Sequence, residues 1–161
     1  MSVNRGKQFE NIIKESFEKV KGVSVDRLHD QTTGYLGSTN ICDFIVYKKP
    51  YEYYIECKTI QGNRFPFCNI TNKQWSGLVE KSTIPGVKAG IICWWKDCDV
   101  TRFIPIQVIQ LMIKDNKQSI RFDAQVSSIF KHQIIDIPGK KKRVFFDYDM
   151  TKFFEEVEKC F

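Results

Sequence analysis

The chain is short of histidine and of paired cysteines, and these two shortages close off much of metal and redox chemistry. Its 161 residues include only His29 and His132, and its six cysteines form no Cys-x-x-Cys pair. Structural zinc takes clustered Cys and His at short spacings, so it is not expected. Cys42, Cys57, Cys68, Cys93, Cys98 and Cys160 sit mostly in apolar, strand-like contexts. A free thiol there behaves as a small hydrophobe, so a disulfide scaffold is not expected either. No apolar stretch is long enough to span a bilayer, and Met1 to Gly6 lacks the core of a signal peptide; the expectation is an intracellular, cytoplasmic protein with no membrane partner. Internal repeats, low-complexity tracts and Pro-, Gly- or Ser-rich linkers are also missing. Residues 1–161 therefore read as a single domain, of a size that buries about two-thirds of its unfolded surface.

What the chain does have is positive charge and aromatic rings. The formal net charge is +6 and aromatics make up 14% of the residues. A basic domain attracts polyanions in a salt-sensitive way, which favours nucleic acid over an acidic protein partner. The cations are dispersed among acids except at Lys140-Lys141-Lys142-Arg143. That run follows Pro138-Gly139 and reads either as a solvated loop tip or as a phosphate contact.

Hydrophobic periodicity sets out the elements. Phe9, Ile12, Ile13, Phe17 and Val20 recur at helical spacing over residues 5 to 20, giving an amphipathic first helix. Glu10 lies beside the apolar stripe, where it is either an ordinary surface glutamate or a group pointing along the edge of a sheet. Val23 to Leu28 alternates and predicts a strand; the polar stretch His29 to Asn40 is long for a simple connection and predicts a binding element. Arg27, His29 and Tyr35 are the groups expected near DNA. Ile41 to Tyr47 and Tyr53 to Ile60 are rich in aromatic and β-branched residues, with Lys48-Lys49-Pro50-Tyr51-Glu52 as the turn of a hairpin.

Thr71 and Gln74 have capping-box spacing for a second helix running to about Lys81. Val87 to Trp95 predicts a buried strand, with both tryptophans in or beside the core. Thr101 to Ile104 predicts another strand. A helix follows to Lys114 with Pro105 in its first turn. Asp123 to Phe130 predicts a short helix and Val144 to Phe146 an edge strand. Asp149 is placed to cap a last helix, whose apolar face carries Phe153, Phe154, Val157 and Phe161. The fold class is α/β, a mixed central sheet flanked by helices.

One constellation carries chemistry. Asp43 is followed thirteen residues later by Glu56, Cys57 and Lys58 on the paired strand. Directly opposed residues of an antiparallel ladder project from one face, so Asp43, Glu56 and Lys58 share a face if the two acids are opposed. Charges in such apolar runs are costly to bury without compensation. Either a hard divalent cation, Mg²⁺ or Mn²⁺, compensates them, or they form a solvent-facing cross-strand salt bridge.

An early helical Glu10, Asp43 on one strand, Glu56-x-Lys58 on the next and Gln74 opening the following helix resemble the PD-(D/E)xK nuclease superfamily, with its restriction-endonuclease-like core. Cys42 stands where the superfamily's name implies Pro. Within that superfamily, Val46-Tyr47-Lys48, Glu56-Cys57-Lys58-Thr59, Phe65-Pro66-Phe67, Asn69-Ile70 and Gln74 resemble the RecU group of Holliday junction resolvases, phage relatives included. The resemblance implies a Mg²⁺-dependent endodeoxyribonuclease acting as a homodimer on four-way junctions in recombination. Asp43, Glu56 and the Cys57 carbonyl would hold metal, with Glu10 reaching it directly or through water. Lys58 would assist the attacking water, and Gln74 would contact the scissile strand unless it serves only as a cap. Arg5, Lys7, Arg64 and Lys73 are further candidates for backbone contacts. A duplex-cutting restriction or repair enzyme and a non-cleaving junction-binding accessory protein are the rival readings.

Overall fold

In the computed structural model, the structure describes residues 4–29, 40–125 and 133–160. Helix α1 (Arg5–Glu18) starts where the Asn4 side chain accepts the Lys7 backbone N–H at 3.1 Å, and it buries Phe9, Ile13 and Phe17. Strands β1 (Ser24–Arg27), β2 (Phe44–Lys48) and β3 (Tyr51–Ile60) follow, then a short strand β4 (Arg64–Pro66) and helix α2 (Asn72–Ser82). Next come β5 (Val87–Trp95), β6 (Val100–Pro105), helix α3 (Ile106–Lys114) and β7 (Ser119–Arg121). The last described elements are β8 (Ile135–Asp136), β9 (Gly139–Lys141), β10 (Phe146–Tyr148) and helix α4 (Met150–Cys160).

Among the described residues the main sheet has six strands in the order β1-β2-β3-β5-β6-β8. Only β3 and β5 pair in parallel. A parallel pair cannot be closed by a tight turn, and the chain between these two strands is long enough to carry β4 and α2 over the sheet. Strand alternation divides β3 between two cores. Tyr53, Ile55 and Cys57 face α1 and α4, where Phe17, Phe103, Phe153 and Phe154 meet them with ring centroids 5.3 to 5.8 Å apart. Tyr54 and Ile60 face α2 and α3, among Leu78, Ile91, Ile104 and Ile109. Trp94 and Trp95 are both buried in the core, one on each side of the sheet, and neither lies at its edge.

The mixed α/β architecture and the order helix, three strands, helix, strand agree with the sequence. Several details differ. The hairpin turn is Lys49-Pro50 alone, because Lys48 ends β2 and Tyr51 opens β3, and the short strands β4, β7 and β8 were not expected. Pro105 ends β6 and caps α3 from outside with extended backbone (φ −56°, ψ 140°), so it precedes the first turn. The late edge strand is Phe146–Tyr148, paired with Gly139–Lys141, and Val144 and Phe145 fall in the turn between them. The shift follows from packing, because it lets the Phe145 ring settle 5.4 Å from Trp94. Lys140 and Lys141 are consequently strand residues, and Lys142 and Arg143 are exposed turn residues. The helix expected over Asp123 to Phe130 falls largely outside the described residues, as do Phe161 and most of the His29 to Asn40 segment; Asp123 itself lies in a turn. No described helix is long and apolar enough to cross a membrane.

Candidate active site

Phe44 stands opposite Ile55 in the β2–β3 ladder, so Asp43, one residue before β2, meets Glu56 as the ladder is extended. Backbone bonds fix it there: its N–H donates to the Ile55 carbonyl at 3.0 Å, and its own carbonyl accepts the Leu28 N–H at 2.9 Å. The Asp43 carboxylate accepts the backbone N–H of Cys57 at 2.8 Å, across the strand pair. Cys57 itself turns into the aromatic core, as alternation requires, and burial pushes its thiol well above the ordinary range. It offers the site its backbone and no nucleophile.

Glu56 is 4% exposed and compensated on two sides. Lys58 Nζ lies 2.8 Å from its Oε1, and Gln74 Nε2 donates to the same oxygen at 2.7 Å. The carbonyl end of Gln74 accepts from Lys58 Nζ at 3.3 Å and from the Thr71 backbone N–H at 3.0 Å. The Gln74 backbone N–H in turn donates to Thr71 Oγ1 at 3.2 Å, completing the capping box. Both readings of Gln74 therefore hold together. One amide starts α2 and joins the acid to the lysine.

Glu10 approaches from α1, on the opposite face of the sheet. Its Oε2 is 2.6 Å from Arg27 Nη2 and 4.0 Å from Lys7 Nζ, and Arg27 Nη1 donates to Asn11 Oδ1 at 2.6 Å. The guanidinium also lies 5.8 Å from the centre of the Phe44 ring. Arg27 thus braces an acid beside the site, a role the sequence reading missed in placing it among DNA contacts. Parity was the available signal, because Arg27 alternates with Val23 and Val25 and must share their α1-facing side. An arginine on that side calls for an acid.

Burial first, and then the nearby Glu56 charge, push the Asp43 carboxyl up to about 7. Burial likewise raises Glu56, with Lys58 opposing the rise, and raises Glu10, with Asp43 adding to it. The three acids thus act on one another electrostatically, the condition that a bound cation relieves. Among the described residues, no three or more His, Cys, Asp or Glu side chains converge on one ion position. A smaller donor set remains, namely the Asp43 and Glu56 carboxylates with the Cys57 carbonyl. It is all oxygen, and it fits Mg²⁺, which is usually held by one or two carboxylates with waters or phosphates completing its shell.

The outer cations are scattered. Arg5 and the 58%-exposed Lys7 lie in the first turn of α1, Lys73 is exposed on α2, and His29 is exposed past β1. Arg64 is exposed on β4, with Ser119 Oγ 3.3 Å from its guanidinium. Tyr35 lies outside the described residues. The structure thus brings Glu10, Asp43, Glu56, Lys58 and Gln74 to one end of β3 and leaves these cations around it.

No protein-family model matches the chain, and no curated protein matches it. Among solved structures, the chain is similar to Hjc of Archaeoglobus fulgidus, a Holliday junction resolvase from an archaeal hyperthermophile. The identity is 20% and the TM-score 0.47, over 63% of this chain and 78% of that one.

Proposed function

We propose that the protein is a divalent-metal-dependent DNA endonuclease that resolves four-way junctions by paired nicks. The observation that carries the nuclease reading is the linked set at the end of β3: Glu56 bonded to both Lys58 and Gln74, beside an Asp43 carboxylate fixed by the Cys57 N–H. A surface salt bridge would need neither the buried second acid nor the glutamine joining acid to lysine. The choice of a junction rests on the resemblance of residues 43–74 to the RecU group, and so does the homodimer, since symmetric nicking of a two-fold junction calls for two related sites.

Asp43, Glu56 and the Cys57 carbonyl would hold Mg²⁺ or Mn²⁺. The metal would supply charge at the scissile phosphate and a water acidic enough to attack near neutral pH. Lys58 is held ready to orient that water and to stabilise the charge that develops on the phosphate oxygens, and a preorganised cation in a partly dry site is worth several kcal/mol. Gln74 keeps the Lys58 ammonium in register with Glu56. Glu10, braced by Arg27, closes the acidic side.

The test is cleavage of labelled four-way junction, flap and linear duplex with Mg²⁺, Mn²⁺ or EDTA, beside Asp43→Asn. Paired symmetric nicks in the junction, lost in EDTA and in the variant, are expected. Equal cutting of all three substrates would replace the junction by duplex DNA in general. Binding without cleavage by the unmutated protein would remove the nuclease reading.

A further inference from the structure

We propose that the two-stranded ribbon β4–β7 is a second DNA surface, which grips the phosphodiester backbone of the arm being cut at Asp43 and Glu56. This rests on the nuclease reading for its partner and adds where the substrate duplex lies. The ribbon places Arg64 directly opposite Arg121. Like charges directly opposed on one face of an antiparallel pair are destabilising. Their neighbours Phe65 and Ile120 are 0% and 1% exposed, so alternation turns both arginines outward with Pro66 and Ser119.

The ribbon only partly compensates this pair. Arg121 Nε lies 2.7 Å from Asp123 Oδ1, an exposed pair worth little in water. Arg64 has its 3.3 Å contact to the Ser119 hydroxyl and, among the described residues, no carboxylate in ion-pair range. Beside it runs a cleft of about 560 Å³ lined by Arg64, Pro66, Phe67, Ile113, Lys117 and Ser119, whose charged members are both cations. A surface carrying Arg64, Lys117 and Arg121 suits a ligand with regularly spaced negative charge.

The ribbon is also tied to the site. Arg64 follows Lys58 by six residues, a span of at most about 20 Å. The chain then returns through β4 to α2, where Gln74 meets Lys58 at 3.3 Å. The segment bearing Arg64 is thus fastened at both ends to the residues of the proposed site. A duplex presents one phosphate charge per roughly 1.7 Å of axis, so one with a phosphate at Glu56 offers others within reach of the ribbon.

The experiment is equilibrium binding of a fluorescent duplex between 50 and 200 mM KCl, in EDTA and again in Ca²⁺. It compares the unmutated protein, the double variant Arg64→Gln/Arg121→Gln, and Asp123→Asn. Loss of two phosphate contacts should lower the magnitude of the log–log salt slope by about 1.8. Asp123→Asn, which frees Arg121, should tighten binding; opposite signs from two exposed substitutions cannot come from misfolding. Unchanged slope and affinity in the double variant, with tight binding by the unmutated protein, would overturn the ribbon and leave the nuclease reading standing. No binding by the unmutated protein in either condition would overturn both. The expected slopes without Mg²⁺-dependent cleavage would uphold the ribbon and remove the nuclease.

Discussion

The two faces of the central sheet are built from the same strands and differ in kind. Facing α1 and α4, the sheet meets interlocking rings: Phe9 against Trp94, Phe17 and Tyr53 against Phe153 and Phe154. Facing α2 and α3, it meets a mostly aliphatic layer, and at the end of β3 the apolar run gives way to Glu56 and Lys58. The aromatic face mostly buries area, with the Glu10–Arg27 pair at its edge, and each ring pair adds to that burial. The other face holds two acids whose carboxyls are both raised by burial. One side supplies stability through buried rings, and the other carries acids whose burial costs the fold.

Substitutions on the two faces should therefore act in opposite ways. Under the proposed function, Asp43→Asn should lower cleavage by about a thousandfold or more, since several kcal/mol of transition-state stabilisation would pass through the proposed metal site. In urea unfolding the same variant should be as stable as the unmutated protein or more so. Phe153→Ala should instead cost about 3–5 kcal/mol in that measurement. A Asp43→Asn protein as unstable as Phe153→Ala would erase the distinction between the faces.

Acidity sharpens the comparison. The folded Asp43 carboxyl titrates near 7, above its unfolded value, so the folded state holds the proton more tightly. The stability linked to that proton is fully present below pH 4 and is lost as pH rises through about 7, by at most a few kcal/mol. Melting temperature followed from pH 4 to 8 should show this decline, and Asp43→Asn should flatten it. Mg²⁺ competes with the proton, so it should raise the melting temperature more at pH 8 than at pH 5. A stabilisation by Mg²⁺ equal at both pH values would place the ion elsewhere.

The smallest effects separate the two tasks of Gln74. Thr71→Ala removes the cap and should cost about 1 kcal/mol. Gln74→Ala should cost a similar amount and in addition lower cleavage by about a hundredfold, because Lys58 and Glu56 lose their common partner. Equal cleavage by the two variants would reduce Gln74 to a cap.

Elements with a sustained period were legible in the sequence. Phe9 to Val20, the β2–β3 hairpin, Val87 to Trp95 and the Asp149-capped helix follow from spacing and turn chemistry, and parity put Asp43, Glu56 and Lys58 on one face. The β4–β7 ribbon was not legible, because its three-residue strands are too short to show a period and pair across more than fifty residues. Parity places Arg27 on the α1-facing side, but that its partner is Glu10 depends on how α1 lies against β1, which strand alternation alone does not fix. The bond from Cys57 N–H to Asp43 is likewise set by the end of a ladder and not by either residue's identity.

Cys57 has a consequence outside catalysis. Its amide belongs to the acids on one side of the sheet while its thiol is sealed among the rings on the other. Cys68, by contrast, is exposed on the short turn before α2. The protein therefore carries its own pair of chemical probes. An alkylating reagent should label Cys68 at once and Cys57 only when β3 separates from its helices, so the lag between the two would time the opening of the sheet at the residue that bridges core and site.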